Sequence, residues 1–228
     1  MIVAIHQPNY LPWIGYFAKI AATDVFVFFD TVQMPMAKSF VSRNRILTAH
    51  GSLWLTVPTN HGSKDLLINN AEIVRGVWPR KHLRTIEVAY AGSADLKDVV
   101  SLLQTEILSD YRYIADLNIA LILKIAQLLG IEGKKFIRAS ELGLICEGKD
   151  QVHEILEKLG ATRYVTGSGA GSKQTIDEEE FAKHGISLDY LRSDFGVYPQ
   201  RFRGDGKPYS VIDPILNFGI GATRQMLK

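Results

Sequence analysis

His6, Gln7, Asn9, Tyr10 and Trp13 crowd into one short stretch, IHQPNYLPW, that follows the apolar run Ile2 to Ile5 and is broken by Pro8 and Pro12. An imidazole among amides and aromatic rings can take or orient a proton beside a stacked ligand, because imidazole titrates closest to working pH. Asp30 closes the next apolar run, Val25 to Phe29, and is the carboxylate placed to orient His6 or an amine. Arg43, Asn44 and Arg45 stand in succession in SFVSRNRI, and two forked guanidiniums this close suit a diphosphate. In TGSGAGSK, free backbone N–H groups around Gly167, Ser168, Gly169 and Ser172 could hold a phosphate, with Lys173 adding charge. Lys81 and His82 sit at the start of a helix opened by Pro79, where cations oppose the helix dipole unless an anion visits.

Each feature also has an ordinary reading: a hydrogen-bonded strand-end histidine, a core tryptophan, a solvated arginine turn, a glycine loop required only by geometry. The glycine loop matches neither GxxxxGKS nor GxGxxG.

The elements that must position these residues alternate. Ile2 to Ile5 reads as a strand, and Phe17, Ile20 and Ala21 recur at helical spacing after Gly15. Val25 to Phe29 is a second strand, so the opening is a strand, polar loop, helix, strand unit whose strands should be parallel. Ligands of such sheets bind outside the carboxyl ends of the strands, which puts the His6 loop and Asp30 at the mouth. Leu53 to Val57 and Leu66 to Val74 are expected to form a hairpin-like extension.

Helices are expected from Trp78 to Gly92, Asp95 to Leu108 and Tyr113 to Leu129, the last stopped by Gly130. The α/β rhythm then returns with strands at Lys135 to Arg138, Arg163 to Thr166 and Ile186 to Leu191, and a helix at Asp150 to Leu159. Thr175 and Glu178 have capping-box spacing, and Val211 to Phe218 reads as a further helix. The fold class is a single α/β domain over 1–228, with a mostly parallel Rossmann-like sheet flanked by helices and a central helical segment. The glycine loop and the His6 loop should open on one cleft.

A formal net charge of +2 over 228 residues gives no reason to expect DNA as a partner. The single cysteine, Cys146, is read as a packed small hydrophobe. Without an apolar leader or an eighteen-residue apolar span, a cytoplasmic protein is expected. No metal is expected, since His50 and His61 lack partners at ligand spacing.

The segments IHQPNYLPWIGYF, VFVFFDTVQ, KSFVSRNRI, WPRKH, LGATRYVTGSG and YSVIDPILNFG together resemble the WbqC-like protein family over essentially the whole chain. The resemblance places His6, Gln7, Tyr10, Pro12, Trp13, Gly15 and Tyr16 in that family's opening motif. Gln33, Arg43, Asn44 and Arg45 fall in its second block, Lys81 and His82 in its third, and Asp213 and Asn217 in its last. It implies a pathway, bacterial O-antigen and other surface polysaccharides, more firmly than a reaction. Thr175 stands where the family pattern has an aromatic residue.

The order of strand, PxxxxG, helix and AxxDVFVFFD is also distantly similar to HIGH-type nucleotidyltransferases, although Trp13 and Tyr16 replace the histidines of their HxGH motif. Three readings follow. The first is a transferase acting on a nucleotide-linked sugar, with acyl or aminoacyl transfer to an amino sugar, His6 as general base, Asp30 and Tyr16 in support, and Trp13 with Tyr10 stacking base or sugar. The second is an ATP-dependent nucleotidyltransferase, which would need a nucleotide with magnesium; no other cofactor is called for. The third is a non-catalytic module binding a nucleotide or glycan. A homo-oligomer stays open.

Overall fold

A computed structural model describes residues 1–35, 39–60, 65–167, 177–191, 195 and 197–227. Its centre is a five-stranded sheet of β1 (Ile2–His6), β2 (Val25–Phe28), β5 (Lys135–Arg138), β6 (Arg163–Gly167) and β7 (Ser187–Leu191) in the order β5-β2-β1-β6-β7. Every neighbouring pair is parallel, with Val3 opposite Val25, Val25 opposite Lys135, Val3 opposite Tyr164 and Arg163 opposite Ser187. The α/β fold with a parallel central sheet is the one expected.

β1 and β2 are apolar at nearly every position because both faces of the sheet are covered, and their side chains alternate between two cores. Ala4, Phe26 and Phe28 enter the larger core with Phe17 and Ile20 of α1 (Ile14–Ala21). Val3, Ile5, Val25 and Val27 enter the smaller one, against Ile155 and Leu156 of α5 (Gln151–Lys158) and Phe181 of α6 (Glu178–Lys183).

The larger core also takes α2 (Trp78–Ala89), α3 (Leu96–Ile107), α4 (Ile114–Leu128) and α7 (Ile212–Phe218), the last followed by α8 (Ile220–Gln225), which sequence periodicity did not indicate. Gly130 stops α4 in a left-handed conformation at φ 68°, as expected. Asp177 caps α6 by accepting from Glu179 N and Glu180 N, so the cap of the described helix lies two residues beyond the expected Thr175. Thr175 itself lies outside the described residues.

One expectation is corrected. The hairpin pairs β3 (Arg43–Thr48) with β4 (Gly51–Thr56), antiparallel, whereas the segment after Leu66 contributes a 3-10 turn at Ile68–Asn70 and single bridges such as Thr59 with Ile73. SFVSRNRI is too polar to announce itself as a strand, yet Asn44, Arg45, Ile46 and Leu47 are all buried there. Arg45 tolerates this because Tyr209 lies under its guanidinium and Asp205 pairs with it, while half-buried Arg43 lies over Trp54.

Candidate active site

The strand order reverses between β1 and β6. From β1 the chain builds outward through β2 to β5, then crosses to β6 and β7 on the other side. In open parallel sheets the crevice outside the carboxyl ends at such a reversal is where ligands bind. His6 ends β1 and Gly167 ends β6, so the two loops expected to share a cleft do leave from neighbouring parallel strands. Ser168, Gly169, Ser172 and Lys173 lie outside the described residues.

The loop after β1 is pinned almost atom by atom. The Gln7 carbonyl accepts from Tyr16 OH at 3.0 Å and His6 Nδ1 at 3.1 Å, and the Pro8 carbonyl accepts from Asn118 Nδ2 at 2.8 Å. Tyr10 N donates to Phe40 O, and Val211 N donates to Pro12 O. Leu11, fully buried, adopts a left-handed φ of 42°, a conformation that costs a non-glycine residue about 1–2 kcal/mol. Asn44 Nδ2 holds its carbonyl at 2.7 Å, while Asn44 Oδ1 accepts from Arg45 N. Asn44 is therefore a brace for the loop rather than a group facing a ligand. Gly15 is required by contact: a Cβ there would meet Phe195 and the Trp13 indole nitrogen at 2.8 Å.

A carbonyl can only accept, so the bond to Gln7 puts the His6 proton on Nδ1 and leaves Nε2 as an acceptor. Burial, with the charge of Lys19 added to it, lowers the His6 pKa to about 3. His6 is thus a neutral acceptor near pH 7, and its desolvation works against the expected role of a general base tuned to working pH. Tyr16 does not supply a free acid, since its buried hydroxyl is committed to Gln7. Asp30 is fully buried and is occupied by Arg138 Nε at 2.9 Å, Ser140 Oγ at 2.8 Å and Ser140 N at 3.0 Å. It ties β2 to β5 and does not orient His6.

Lys19 is the group the sequence reasoning missed. It is 6% exposed on α1 and makes no ion pair among the described residues, and burial lowers its pKa to about 8. The signal was available: a lone lysine in a helix that is apolar all round, WIGYFAKIA.

Trp13, half-buried at the start of α1, lies edge-on to His6 at 5.7 Å and 5.8 Å from Phe40, which is 6.1 Å from Trp54. Phe40 and Trp54 are exposed, and Arg43 lies over Trp54 at 4.4 Å with its buried Nε unpaired. The two arginines separate here. Arg45 is committed to Asp205 at 2.6 Å and to the Pro208 carbonyl at 3.0 Å, so it anchors the 205–209 segment instead of holding a diphosphate.

Tyr10 and His82 are corrected together. Both are buried, joined at 2.9 Å, and the imidazole is lowered to about 4 by burial. Tyr10 therefore offers no stacking face and His82 no ligand contact. Lys81 is exposed on α2, which packs on α3 and β3. Asn9 is buried with Oδ1 unpartnered. Gln33 is exposed and bridges Leu67 through its backbone, and Cys146, expected in the core, is an exposed free thiol.

Asp213 accepts from Tyr90 OH, Tyr198 OH and Gln200 Nε2, and Asn217 accepts from Arg201 N. The 198–201 segment is held against the core by these bonds. Among the described residues no three His, Cys, Asp or Glu converge on a metal position, and no helix is long and apolar enough to cross a membrane.

The model of the WbqC-like protein family matches residues 7–225 of this chain. The chain is also 30% identical over 224 residues to the uncharacterized protein Rv1507c of Mycobacterium tuberculosis (strain ATCC 25618 / H37Rv), spanning 96% of this chain and 95% of that one. No solved structure matches.

Proposed function

This chain belongs to the WbqC-like protein family, and from that premise we propose that it is a transferase of bacterial surface-polysaccharide (O-antigen) biosynthesis acting on a nucleotide-linked sugar. Acyl or aminoacyl transfer to an amino sugar is its most concrete form. The observation that carries the reading is the strand-order reversal between β1 and β6, with a braced loop on one side and Lys19, unpaired among the described residues, close enough to act on His6 by its charge. A buried cation without a partner is costly, and a bound phosphate offsets that cost. Lys19 is accordingly assigned to the diphosphate, and Arg43 with Trp13 to the base or sugar.

In the transfer, the amine lone pair attacks the acyl carbon of an activated ester or thioester. The C–N bond forms, and the C–O or C–S bond breaks with its electron pair on the leaving group. His6 Nε2 accepts a hydrogen bond from a hydroxyl of the acceptor and orients it. The proton shed by nitrogen passes to water, because an imidazole with a pKa of about 3 does not retain it.

Isothermal titration with a panel of nucleoside diphosphate sugars tests the reading. Binding to the parent is expected, with Lys19→Met weakened by about tenfold or more, the scale of one charge-assisted contact. Parental affinity should fall above pH 8 as Lys19 loses its proton, and affinity of the variant should not. If no member of the panel binds, or if Lys19→Met binds as the parent does, the donor site is elsewhere. Pyrophosphate release from ATP would instead mark a nucleotidyltransferase.

A further inference from the structure

One strand away from the His6 crevice, beyond the carboxyl ends of β2 and β5, a hollow of about 1240 Å³ opens beside Thr31, Gln33, Asn69, Ser140 and Gln151. The two places adjoin. Phe29, on the wall of the hollow, donates its N–H to the His6 carbonyl at 2.8 Å, and neighbouring strands lie only about 4.8 Å apart.

Its polar chemistry is specific. Asn69 Oδ1 is buried with no partner, although nearly all buried acceptors have one, and Asn69 is held by its own N–H to the Asp30 carbonyl. Gln151, itself buried, accepts from Thr31 at 2.8 Å, leaving its amide donors unspent. The Ser140 hydroxyl donates to Asp30, so its oxygen remains free to accept. Val32, Leu67 and Leu144 add apolar surface.

Among the described residues lining the hollow there is no lysine, arginine or histidine, but there are two exposed carboxylates, Asp65 and Glu147. Such a wall does not neutralise phosphate. It does match a ligand with many hydroxyls, a short apolar face and a positive charge.

We propose that this hollow is the subsite for the sugar ring of an amino sugar, with its ammonium directed to Asp65 and Glu147. The proposal deepens the transferase reading and rests on it for the identity of the adjoining crevice: the diphosphate lies at β1 and β6, and the sugar reaches across the end of β1 to β2 and β5. Nothing about the hollow itself depends on that assignment.

Titration of the full chain with glucosamine, N-acetylglucosamine, glucuronate and, separately, UDP distinguishes the two. Glucosamine should bind saturably in the millimolar range and glucuronate should not. Asn69→Ala should weaken glucosamine by about tenfold, and Asp65→Asn combined with Glu147→Gln, at exposed positions that leave the fold intact, should remove the preference for the free amine over its N-acetyl form. UDP should bind all variants equally. Absence of saturable glucosamine binding, equal binding of glucuronate, or an amine preference that survives the paired carboxylate change overturns the subsite. If glucosamine behaves as described while UDP fails to bind, the nucleotide reading falls and the amino-sugar subsite stands.

Discussion

At the residue scale, Lys19 has the most distinctive chemistry. Its pKa is lowered by burial from the ordinary 10.5 to about 8, so between those values the unfolded chain binds more protons than the folded one. Stability therefore rises with pH across the window from about 8 to 10.5, and below pH 8 the full cost of burying the charge, on the order of 3 kcal/mol, is present. Lys19→Met should raise the free energy of urea unfolding at pH 7 by an amount approaching that figure and flatten its rise above pH 8. A variant no more stable than the parent at pH 7 would mean that the ammonium is solvated. His6 behaves oppositely to a free histidine. With its pKa lowered to about 3, the proposed transfer should show no limb near pH 6.5, and His6→Gln, which keeps a polar side chain, should lose less turnover than His6→Ala. A bell with an acid limb at 6.5 that disappears in His6→Gln would return the general-base role to His6.

At the scale of elements, β3 is a strand whose two arginines do different things. Arg45 sits over Tyr209 and pairs with Asp205, whose carboxyl is opposed by partial burial but held down at about 2 by the Arg45 hydrogen bond. Arg43 lies on Trp54 with an unpaired Nε. Arg45→Ala should therefore lower stability by about 1–3 kcal/mol in chemical unfolding, and Arg43→Ala should leave stability within about 0.5 kcal/mol while weakening the proposed nucleotide-sugar binding. The reverse ordering would show that Arg43, not Arg45, anchors the hairpin. Asn44, from the opposite face of the same strand, holds the strained Leu11. Asn44→Ala frees that carbonyl inside the core and is expected to cost about 1–3 kcal/mol and, with it, to weaken the proposed nucleotide-sugar binding, because the His6 loop loses its brace.

Across the whole molecule, Asp213 joins three distant parts of the chain: α7, Tyr90 after α2, and the 198–200 segment. Deleting its carboxylate leaves two buried or half-buried tyrosine hydroxyls without an acceptor. Asp213→Ala should lower stability by about 3–5 kcal/mol, and Asp213→Asn, which still accepts from one tyrosine, by less. Proteolysis near residue 200 reports the release of that segment. If the cleavage rate there is unchanged in Asp213→Ala, the network does not hold the segment.

The order of strands and helices around β1, β2, β5, β6 and β7 could be read from the chain because it depends on local periodicity: continuous apolar runs for strands covered on both faces, helical spacing between them, and glycine stops. The His6 loop and its place at a carboxyl edge followed from the same rhythm. What each side chain does there depended on its neighbours from far along the chain. Asp30 looked like a free carboxylate until Arg138 and Ser140 reached it, Arg45 looked like its twin Arg43 until Asp205 did, and His6 looked titratable until Trp13, Tyr16 and Lys19 enclosed it. The hairpin partner of β4 was misread for a related reason, since the strand identity of polar β3 comes from the aromatic rings beneath its arginines. Periodicity is a property of a segment. Desolvation, charge pairing and the consumption of a hydrogen-bonding group are properties of what packs against it, and only the tertiary structure supplies those partners.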